Sequence, residues 1–340
     1  MVALVTGGGG FLGRHLVEQL LARGESVRIL ARQEYPALRR LGVDCHQADL
    51  RDPVAVSRAC AGVDCVYHVA ALAGIWGDPR LFHEINILGT QHVIAGCRAH
   101  AVPRLVFTSS PSVVFDGRDH RHADESLPYP ARYLCDYPRT KALAEQQVLA
   151  ANSPQLATVA LRPHLVWGPR DGHLIPRLVA RARAGRLVRV GSGHNQISVT
   201  YVENAAAAHW QAADRLTPTA PHAGRAYFIN DPEPVRLWDW VATLLAEAGL
   251  PPVRRSIPRG VAWSAGLACE GVWKLLRRSA EPPLTRFLAL QLGGDHWYSI
   301  RAATRDFAFM PLVDPAEGLR RYRSELHRLG SSTQPPDAAH

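Results

Sequence analysis

Lysine is scarce in this chain, and acidic residues are outnumbered. Lysine occurs only as Lys141 and Lys274, although lysine and arginine together number 39 against 30 acidic residues. The arginines are scattered singly and in pairs, which is typical of a solvated surface. No aromatic–basic stripe or nucleic-acid recognition motif accompanies them, so we expect no nucleic-acid partner. The net charge of +9 instead favours an anionic small substrate.

Long hydrophobic runs and cysteine pairs are also missing. No apolar run reaches the ~20 residues that span a bilayer, and the best candidate, 261–276, is interrupted by Glu270 and Lys274. The start MVALVTGGGG lacks the charged region of a secretory signal, and the six cysteines form no CxxC pair. We therefore expect a cytoplasmic protein with reduced thiols and at most peripheral membrane contact. Segment 261–276 is interpreted as an internal lid helix or, alternatively, as a surface for a membrane or a partner enzyme.

Short apolar runs alternate with helical patterns through the first half of the chain. Strands are predicted at 2–6, 26–31, 43–48, 63–70, 105–109 and 156–162, and helices lie between most of them. This order is typical of parallel βαβ units, so the predicted fold class is α/β with a doubly wound parallel sheet. Ligands of such sheets bind along the edge formed by the strand carboxyl ends.

The glycine-rich stretch TGGGGFLG joins the first predicted strand to the first helix. Gly7, Gly10 and Gly13 permit a tight turn, close approach of a pyrophosphate, and close helix–sheet packing. The N–H groups at the helix start, near Phe11 and Leu12, attract phosphate. In this strand–turn–helix context the motif predicts a dinucleotide cofactor on a Rossmann sheet.

The second strand ends in ILARQ, which bears on the choice of cofactor. An acidic residue at this place usually binds the ribose hydroxyls of NAD, but the chain has Ala31 and Arg32. Arginine can bind a 2′-phosphate that a carboxylate would repel. We therefore predict NADP(H); the alternative is that Arg32 is one more surface arginine.

The stretch DYPRTK contains one of the two lysines. Tyr137 and Lys141 are four residues apart on a predicted helix, so their side chains share a face. A nearby ammonium favours the phenolate and should lower the tyrosine pKa from about 10, which would suit acid–base catalysis.

These segments, with the strand end FTSSPSVV, resemble the extended short-chain dehydrogenases/reductases. The resemblance implies that Tyr137 and Lys141 are catalytic and that Ser110 polarises the substrate carbonyl, with Ser112 as the alternative. Thr108 and Ser109 are interpreted as structural. It also implies cofactor contacts by Tyr137 and Lys141 themselves, and no metal.

Other segments that resemble the family extend the predicted cofactor site. They include ADL at 48–50, HVAA at 68–71, NILGT from Asn86, RPHLVWGP from Arg162 and YVENAAAAH from Tyr201. The implied cofactor-binding positions are Asp49, Leu50, Ala70 and Pro163. His68 and Asn86 have a structural alternative, which is to satisfy buried backbone groups.

The domain division follows from where the regular alternation stops. After residue 163 prolines and glycines become frequent, and helices and strands interleave less regularly. We predict an NADP-binding core at 1–165, rejoined by 198–232. A substrate-binding portion is predicted at 166–197 and 233–330, and a disordered tail at 331–340.

Segments AALAGIWGD, EPPLTRF and AATRDFAFMP resemble the 3β-hydroxysteroid dehydrogenase-like branch of this family. AGIWG, TSSPSVV, LIPRLVARARAGRL and HWYSI are more narrowly similar to bacterial ketoreductases of long-chain olefin biosynthesis. That resemblance implies NADPH-dependent reduction of a fatty β-keto acid, a 2-alkyl-3-oxoalkanoate, to the 2-alkyl-3-hydroxyalkanoate. Other enzymes of the same pathway would be partners, and a homodimer through the helices near 81–100 and 137–151 is expected.

Three alternatives to this function remain at the level of sequence. The substrate could instead be a sterol or 3β-hydroxysteroid. It could also be a nucleotide sugar, as in epimerases and reductases of the family, although these usually hold NAD. A non-catalytic NADPH-sensing protein is the third, and the intact Ser110, Tyr137 and Lys141 argue against it.

Overall fold

A computed structural model describes residues 1–331. The strands are β1 (Val2–Thr6), β2 (Ser26–Ala31), β3 (Asp44–Gln47), β4 (Cys65–His68), β5 (Arg104–Thr108), β6 (His120–Ala123), β7 (Ala157–Pro163), β8 (Val166–Trp167), β9 (Arg189–Val190), β10 (Gln196–Ile197), β11 (Thr200–Tyr201), β12 (Arg225–Ile229), β13 (Val235–Arg236), β14 (Ser256–Ile257) and β15 (His296–Tyr298).

The helices follow the same order along the chain. They are α1 (Phe11–Ala22), α2 (Pro36–Arg40), α3 (Pro53–Cys60), α4 (Pro79–Phe82), α5 (Gly89–Ala99), α6 (Asp136–Ala150), α7 (Leu174–Arg183), α8 (Val202–Arg215), α9 (Leu237–Glu247), α10 (Arg259–Leu275), α11 (Arg286–Gly293), α12 (Arg301–Phe307) and α13 (Pro315–Ser331). A π-helical segment, His83–Leu88, joins α4 to α5, and a 3-10 helix, Pro111–Val114, follows β5.

The main sheet has seven parallel strands in the order β12-β7-β5-β4-β1-β2-β3. Apolar residues of α1, α8 and α12 cover one face, and those of α3, α5 and α6 cover the other. Strands covered on both faces need apolar side chains throughout, and every residue of β7 is buried. The predicted α/β doubly wound fold is therefore confirmed.

A second sheet, in the order β13-β10-β15-β6, carries strands from both halves of the chain. Residues 120–123 form β6 and pair with β15, although they fall inside the predicted core at 1–165. Strand β12, from the segment 198–232, pairs with β7 in the main sheet. The domain division itself stays a prediction.

Helix α10 packs through one narrow face only. Ala262, Gly266 and Glu270 are buried against α11 and the segment before it, while Leu267 and Leu275 are 44% and 83% exposed. It is therefore not an internal helix, because most of its large apolar residues face outward. No helix among residues 1–331 combines the length and apolar character needed to cross a bilayer.

Four helices, α2, α11, α12 and α13, were not predicted from the sequence. The predicted disordered tail at 331–340 overlaps the last of them at Ser331, which ends α13. Residues 332–340 lie outside the described part of the chain.

Candidate active site at the carboxyl edge of the main sheet

The glycine turn is closed by its own backbone. Gly7 has a φ of 68°, and a Cβ there would lie 3.0 Å from the Cα of Ala70. A Cβ on Gly13 would lie 2.2 Å from the Gly7 carbonyl oxygen. Gly10 caps α1 without a side-chain hydrogen bond, so the N–H groups from Phe11 onward face the turn without a side-chain acceptor. This cradle fits a dinucleotide phosphate.

Tyr35 lies directly over this turn, a feature that the sequence analysis missed. A Cβ on Gly9 would lie 2.0 Å from the Tyr35 ring, so only glycine lets the ring approach. Tyr35 immediately precedes α2 and lies three residues after Arg32. Its closeness in sequence to the predicted phosphate-binding arginine is the signal that could have identified it. The Arg32 side chain is exposed and forms no ion pair with residues 1–331, so it is free to bind a phosphate.

The buried His68 ring links β1 to α5 through two threonine hydroxyls. One ring nitrogen lies 2.8 Å from the Thr6 hydroxyl and the other lies 3.0 Å from the Thr90 hydroxyl. The Thr6 hydroxyl also accepts the backbone N–H of Ala70, at 3.1 Å. Burial lowers the pKa of His68 to about 3, and Lys141 adds to this, so the ring is neutral. His68 therefore fixes the spacing of strands β1 and β4 and is not placed to bind a ligand.

Asp49 is held by Arg51 within the protein. The Arg51 guanidinium binds the two carboxylate oxygens at 3.1 and 3.0 Å, and its backbone N–H adds a third bond. The hydrogen bonds from Arg51, above all those from its side chain, lower the pKa of Asp49. Leu50 beside it is buried and touches Gly89 at the start of α5. Arg51 therefore already binds Asp49 within the protein, and the role of Asp49 near the adenine stays a prediction.

The hydroxyls of Ser110 and Tyr137 lie together at the end of β5. Ser110 Oγ accepts the Ser112 hydroxyl at 3.0 Å and the Ser112 backbone N–H at 3.2 Å. Because both of these bonds are accepted, the Ser110 proton is free to be donated to another group. Ser110, and not Ser112, acts on the pKa of the Tyr137 phenol, which favours it as the residue beside the phenol.

The sequence predicted that Lys141 lowers the pKa of Tyr137, and this prediction was wrong. Burial raises the pKa of Tyr137 to about 12, the Ser110 contact opposes the rise, and Cys135 adds to it. Lys141 is not among the groups that act on the phenol. Desolvation of the Tyr137 hydroxyl outweighs the contact that favours the phenolate. Tyr137 is therefore fully protonated at neutral pH.

Lys141 is buried, with 2% of its surface exposed. Its ammonium donates a hydrogen bond to the backbone carbonyl of Thr108 and lies 3.9 Å from the centre of the Phe107 ring. Burial lowers the pKa of Lys141 to about 7, while Glu145, one helical turn further along α6, opposes the shift. An ammonium with so low a pKa exchanges protons near neutral pH, which arginine does not do.

Behind Lys141, Glu145 and Arg162 form a buried ion pair. The guanidinium binds both carboxylate oxygens, at 3.0 and 2.6 Å, and the Tyr129 hydroxyl donates to the same carboxylate at 2.6 Å. Thr108 Oγ1 lies 2.7 Å from a ring nitrogen of His209. These contacts brace β5, β7 and α6 behind the Ser–Tyr–Lys group, and sequence reasoning missed them.

Asn86, in the π-helical segment, connects the site to the loop that follows β4. Its amide oxygen accepts the Leu72 backbone N–H at 2.7 Å, and its amide group donates to the Leu72 carbonyl and to Thr140 Oγ1, both at 3.0 Å. Thr140 immediately precedes Lys141. Of the two interpretations left open for Asn86, the contacts support the satisfaction of buried backbone groups.

The predicted site residues are distributed along the sheet edge as the strand order requires. The glycine turn and Ala70 lie at the centre, with Arg32 and Asp49 on one side and the Ser110, Tyr137 and Lys141 group on the other. Pro163 ends β7, opposite Ile229. Five strand spacings of about 4.8 Å separate β3 from β7, so the predicted residues extend along the sheet edge and do not form one cluster. Within residues 1–331 no group of three His, Cys, Asp or Glu side chains could hold a metal ion.

Comparison with known proteins identifies the family. The 3-beta hydroxysteroid dehydrogenase/isomerase family matches residues 4–259. A 2-alkyl-3-oxoalkanoate reductase of Stenotrophomonas maltophilia is 50% identical over 95% of this chain and 99% of its own, and one of Shewanella oneidensis is 43% identical over 95% and 86%. A mouse sterol-4-alpha-carboxylate 3-dehydrogenase (decarboxylating) is 34% identical over 96% of this chain and 91% of its own.

Solved structures agree on the fold. Thermus thermophilus UDP-glucose 4-epimerase in complex with NAD is 25% identical, with a TM-score of 0.72 over 96% of this chain and 99% of that one. MoeE5 in complex with UDP-glucose and NAD has a TM-score of 0.72 at 24% identity, over 98% and 100%. The chain therefore belongs to the 3β-hydroxysteroid dehydrogenase/isomerase family of extended short-chain dehydrogenases/reductases, and is a nicotinamide-dependent oxidoreductase that acts on CH–OH groups.

Proposed function

We propose that the chain reduces the 3-keto group of a 2-alkyl-3-oxoalkanoate to the 3-hydroxy group with NADPH. The observation that carries this is the pairing of a protonated Tyr137 with a Ser110 hydroxyl whose proton is free to donate. The substrate class rests on the two bacterial relatives that carry this activity in their names and align over most of their length.

In the reductive direction the site must stabilise and protonate a carbonyl oxygen. Ser110 donates its hydrogen bond to that oxygen, and Tyr137 transfers its phenolic proton as negative charge develops there. A pKa of about 12 keeps the proton on Tyr137 until the oxygen becomes strongly basic. NADPH, when bound, supplies the hydride to C3.

Lys141 has two proposed roles in this reaction. Its bond to the Thr108 carbonyl sets the position of α6 against β5, and hence of Tyr137 against Ser110. Its pKa of about 7 makes it a suitable source for returning a proton to Tyr137 after turnover. The other ammonium protons remain available for a cofactor ribose hydroxyl.

The preference for NADPH rests on Arg32. This arginine lies at the carboxyl end of β2, exposed and without an ion pair among the described residues, where a 2′-phosphate would need a cation. Binding of NADPH and NADH, followed by nicotinamide fluorescence without substrate, tests this preference independently of turnover.

A second candidate substrate is a sterol 4-carboxylate, favoured by the mammalian relatives at 33–35% identity. Both candidates carry a carboxylate on the carbon next to the one that reacts.

We further propose a homodimer through α5 and α6 and a functional link to enzymes that supply the β-keto acid and consume the hydroxy acid. Light scattering of the purified protein tests the dimer.

The substrate is tested by oxidation, because the hydroxy acid is stable whereas a β-keto acid decarboxylates. A 2-alkyl-3-hydroxyalkanoate, a 3β-hydroxysteroid and UDP-glucose are offered separately with NADP⁺ and NAD⁺, and nicotinamide absorbance is followed. We expect turnover of the hydroxyalkanoate with NADP⁺. Turnover of the steroid alone would overturn the substrate but leave the site residues standing.

A further inference from the structure

A cavity of 440 Å³ lies between the loop after β4, the start of α6 and the end of α10. This volume is in the range of small-molecule sites. Much of its wall is apolar, formed by Ile75, Trp76, Phe82, Leu134, Trp273 and Phe287. Cys135 and Asp136 also line it, and Tyr137 is the next residue of the chain. The cavity wall therefore includes the two residues that precede the proposed proton donor.

Three cations stand at the rim of this apolar space. Lys274, Arg277 and Arg278 all line the cavity, and none of them forms an ion pair with another residue of 1–331. Exposed cations are ordinary on a protein with this charge. These three cations are distinguished by their positions. They lie within five residues of one another at the end of α10, and all three line the same, largely apolar cavity.

The carboxylates that line the cavity already have partners. Asp136 binds the Arg139 guanidinium at 2.7 Å, and Glu270 binds that of Arg286 at 2.7 Å. Asp78 accepts the backbone N–H at the start of α4, at 2.9 Å. Asp78, whose partner is an uncharged backbone N–H, offsets at most one of the three cations, so the rim keeps a net positive charge that attracts an anionic ligand.

The end of α10 is shaped so that these cations stay at the rim. The Arg278 N–H bonds to the Trp273 carbonyl at 3.0 Å, and Arg277 has a φ of 47°, a helix ending that favours glycine. The Arg278 guanidinium lies 5.1 Å from the centre of the Trp273 ring. Trp76 donates to the Arg278 carbonyl at 3.2 Å and so ties the loop after β4 to this helix end.

We propose that Lys274, Arg277 and Arg278 bind the carboxylate of an amphiphilic acid whose alkyl chains occupy the apolar cavity. The inference rests on the proposed function for the identity of that acid. In a β-keto acid the carboxylate is separated from the reacting carbonyl carbon by one carbon atom. The cations must then act close to Tyr137, and Lys274 shares its cavity with the two residues that precede Tyr137. Lys274, the second of the two lysines in the chain, thereby also belongs to the site.

The test measures binding of decanoate and of decan-1-ol to the full-length protein by calorimetry, without cofactor. These ligands have equal chains and differ in the charged head group. We expect decanoate to bind at least tenfold more tightly than the alcohol. Replacing the three cations together (Lys274→Gln, Arg277→Gln and Arg278→Gln) should weaken decanoate binding at least tenfold and leave the alcohol unchanged. Arg254→Gln, an exposed cation outside the cavity, is the control and should change neither.

A second variant separates binding from folding. Arg277→Gly places at the helix end the residue that this backbone conformation prefers, so the protein should be at least as stable in urea unfolding while decanoate binding weakens. Equal affinity for decanoate and decan-1-ol, or decanoate binding that survives in the triple variant, would overturn the proposal.

The outcomes distinguish this proposal from the proposed function. With the 2-alkyl-3-hydroxyalkanoate, the triple variant should raise KM at least tenfold with kcat within threefold. Turnover with an unchanged KM would overturn the carboxylate site and leave the function standing. Charge-dependent decanoate binding by a protein that does not oxidise the hydroxyalkanoate would leave the site standing and refute the function.

Discussion

The ammonium of Lys141 is bonded to the backbone carbonyl of Thr108, two residues before Ser110. This buried bond therefore joins α6, which carries Tyr137, to the end of β5, which leads to Ser110. The acceptor is a backbone carbonyl, which every residue type supplies. The bond therefore depends only on the length and the charge of the side chain at position 141. The demand for lysine, in a chain that otherwise uses arginine, follows from this contact.

Lys141→Arg should therefore disable the enzyme. A guanidinium is larger than the ammonium that packs 3.9 Å from the centre of the Phe107 ring and bonds to the Thr108 carbonyl, and its pKa cannot fall near 7. We expect kcat/KM to drop by roughly a hundredfold or more, since proton transfer and the Ser110–Tyr137 spacing are both disturbed. Arg139→Lys, on the more exposed side of the same helix, is the control. An enzyme with Lys141→Arg within twofold of wild type would show that the charge alone matters.

Ser110 and Ser112 should separate clearly by mutation. Ser110→Ala removes the donor to the substrate oxygen, and we expect a loss of roughly a hundredfold in kcat. Ser112→Ala removes only a bond that Ser110 accepts, and we expect a loss of less than about tenfold. Steady-state kinetics of both variants decides between them. A larger effect at Ser112 would reassign the carbonyl-polarising residue.

Arg32→Ala should change cofactor preference more than catalysis. Losing one charge-assisted contact to the 2′-phosphate costs about 1.5–3 kcal/mol, so the affinity for NADPH should fall roughly tenfold to a hundredfold. The affinity for NADH should stay the same. Fluorescence titration measures both, with Arg40→Ala, an exposed arginine at the end of α2, as control. An unchanged ratio of the two affinities would make Arg32 a surface residue only.

Acid should destabilise the fold through buried histidines. Burial lowers the pKa of His68 to about 3 and those of His209 and His296 to about 4. The unfolded chain binds these protons near pH 6.5, so the stability is fully present above 6.5 and is lost as pH falls toward 4. Each histidine contributes a slope of about 1.4 kcal/mol per pH unit in that window.

Urea unfolding between pH 7 and 5 measures this slope. His209→Gln should reduce it by about one histidine's share, whatever its effect on the stability at pH 7. His83→Gln, at an exposed position, is the control. A slope that is the same in wild type and His209→Gln would mean that His209 takes up its proton without unfolding.

The sequence was informative where a residue type is tied to a backbone geometry. The glycine turn is recognisable because Gly7 needs a positive φ and Gly13 must let the Gly7 carbonyl approach within van der Waals contact. Tyr137 and Lys141 could be paired from helical spacing alone. Six of the seven strands of the main sheet were predicted to within about two residues, most of them from apolar runs that reflect burial on both faces, whereas β12 was not predicted.

What the sequence could not supply depends on tertiary burial. The direction of the Tyr137 pKa shift is set by desolvation, which no local pattern encodes. The partner of Lys141 is a backbone carbonyl, invisible in residue types. Strand β6 joins the second sheet through a partner more than 170 residues away. The cavity at the end of α10 likewise combines segments that are distant in sequence.

Tyr137→Phe tests the central claim most directly, because it removes one oxygen atom and leaves the ring in place. NADPH binding by fluorescence and oxidation of the 2-alkyl-3-hydroxyalkanoate by NADP⁺ would be measured on the same preparation. The account predicts NADPH affinity within about threefold of wild type and a loss of kcat of at least roughly a hundredfold. Turnover within tenfold of wild type would contradict it, since Tyr137 could then not be the group that transfers the proton.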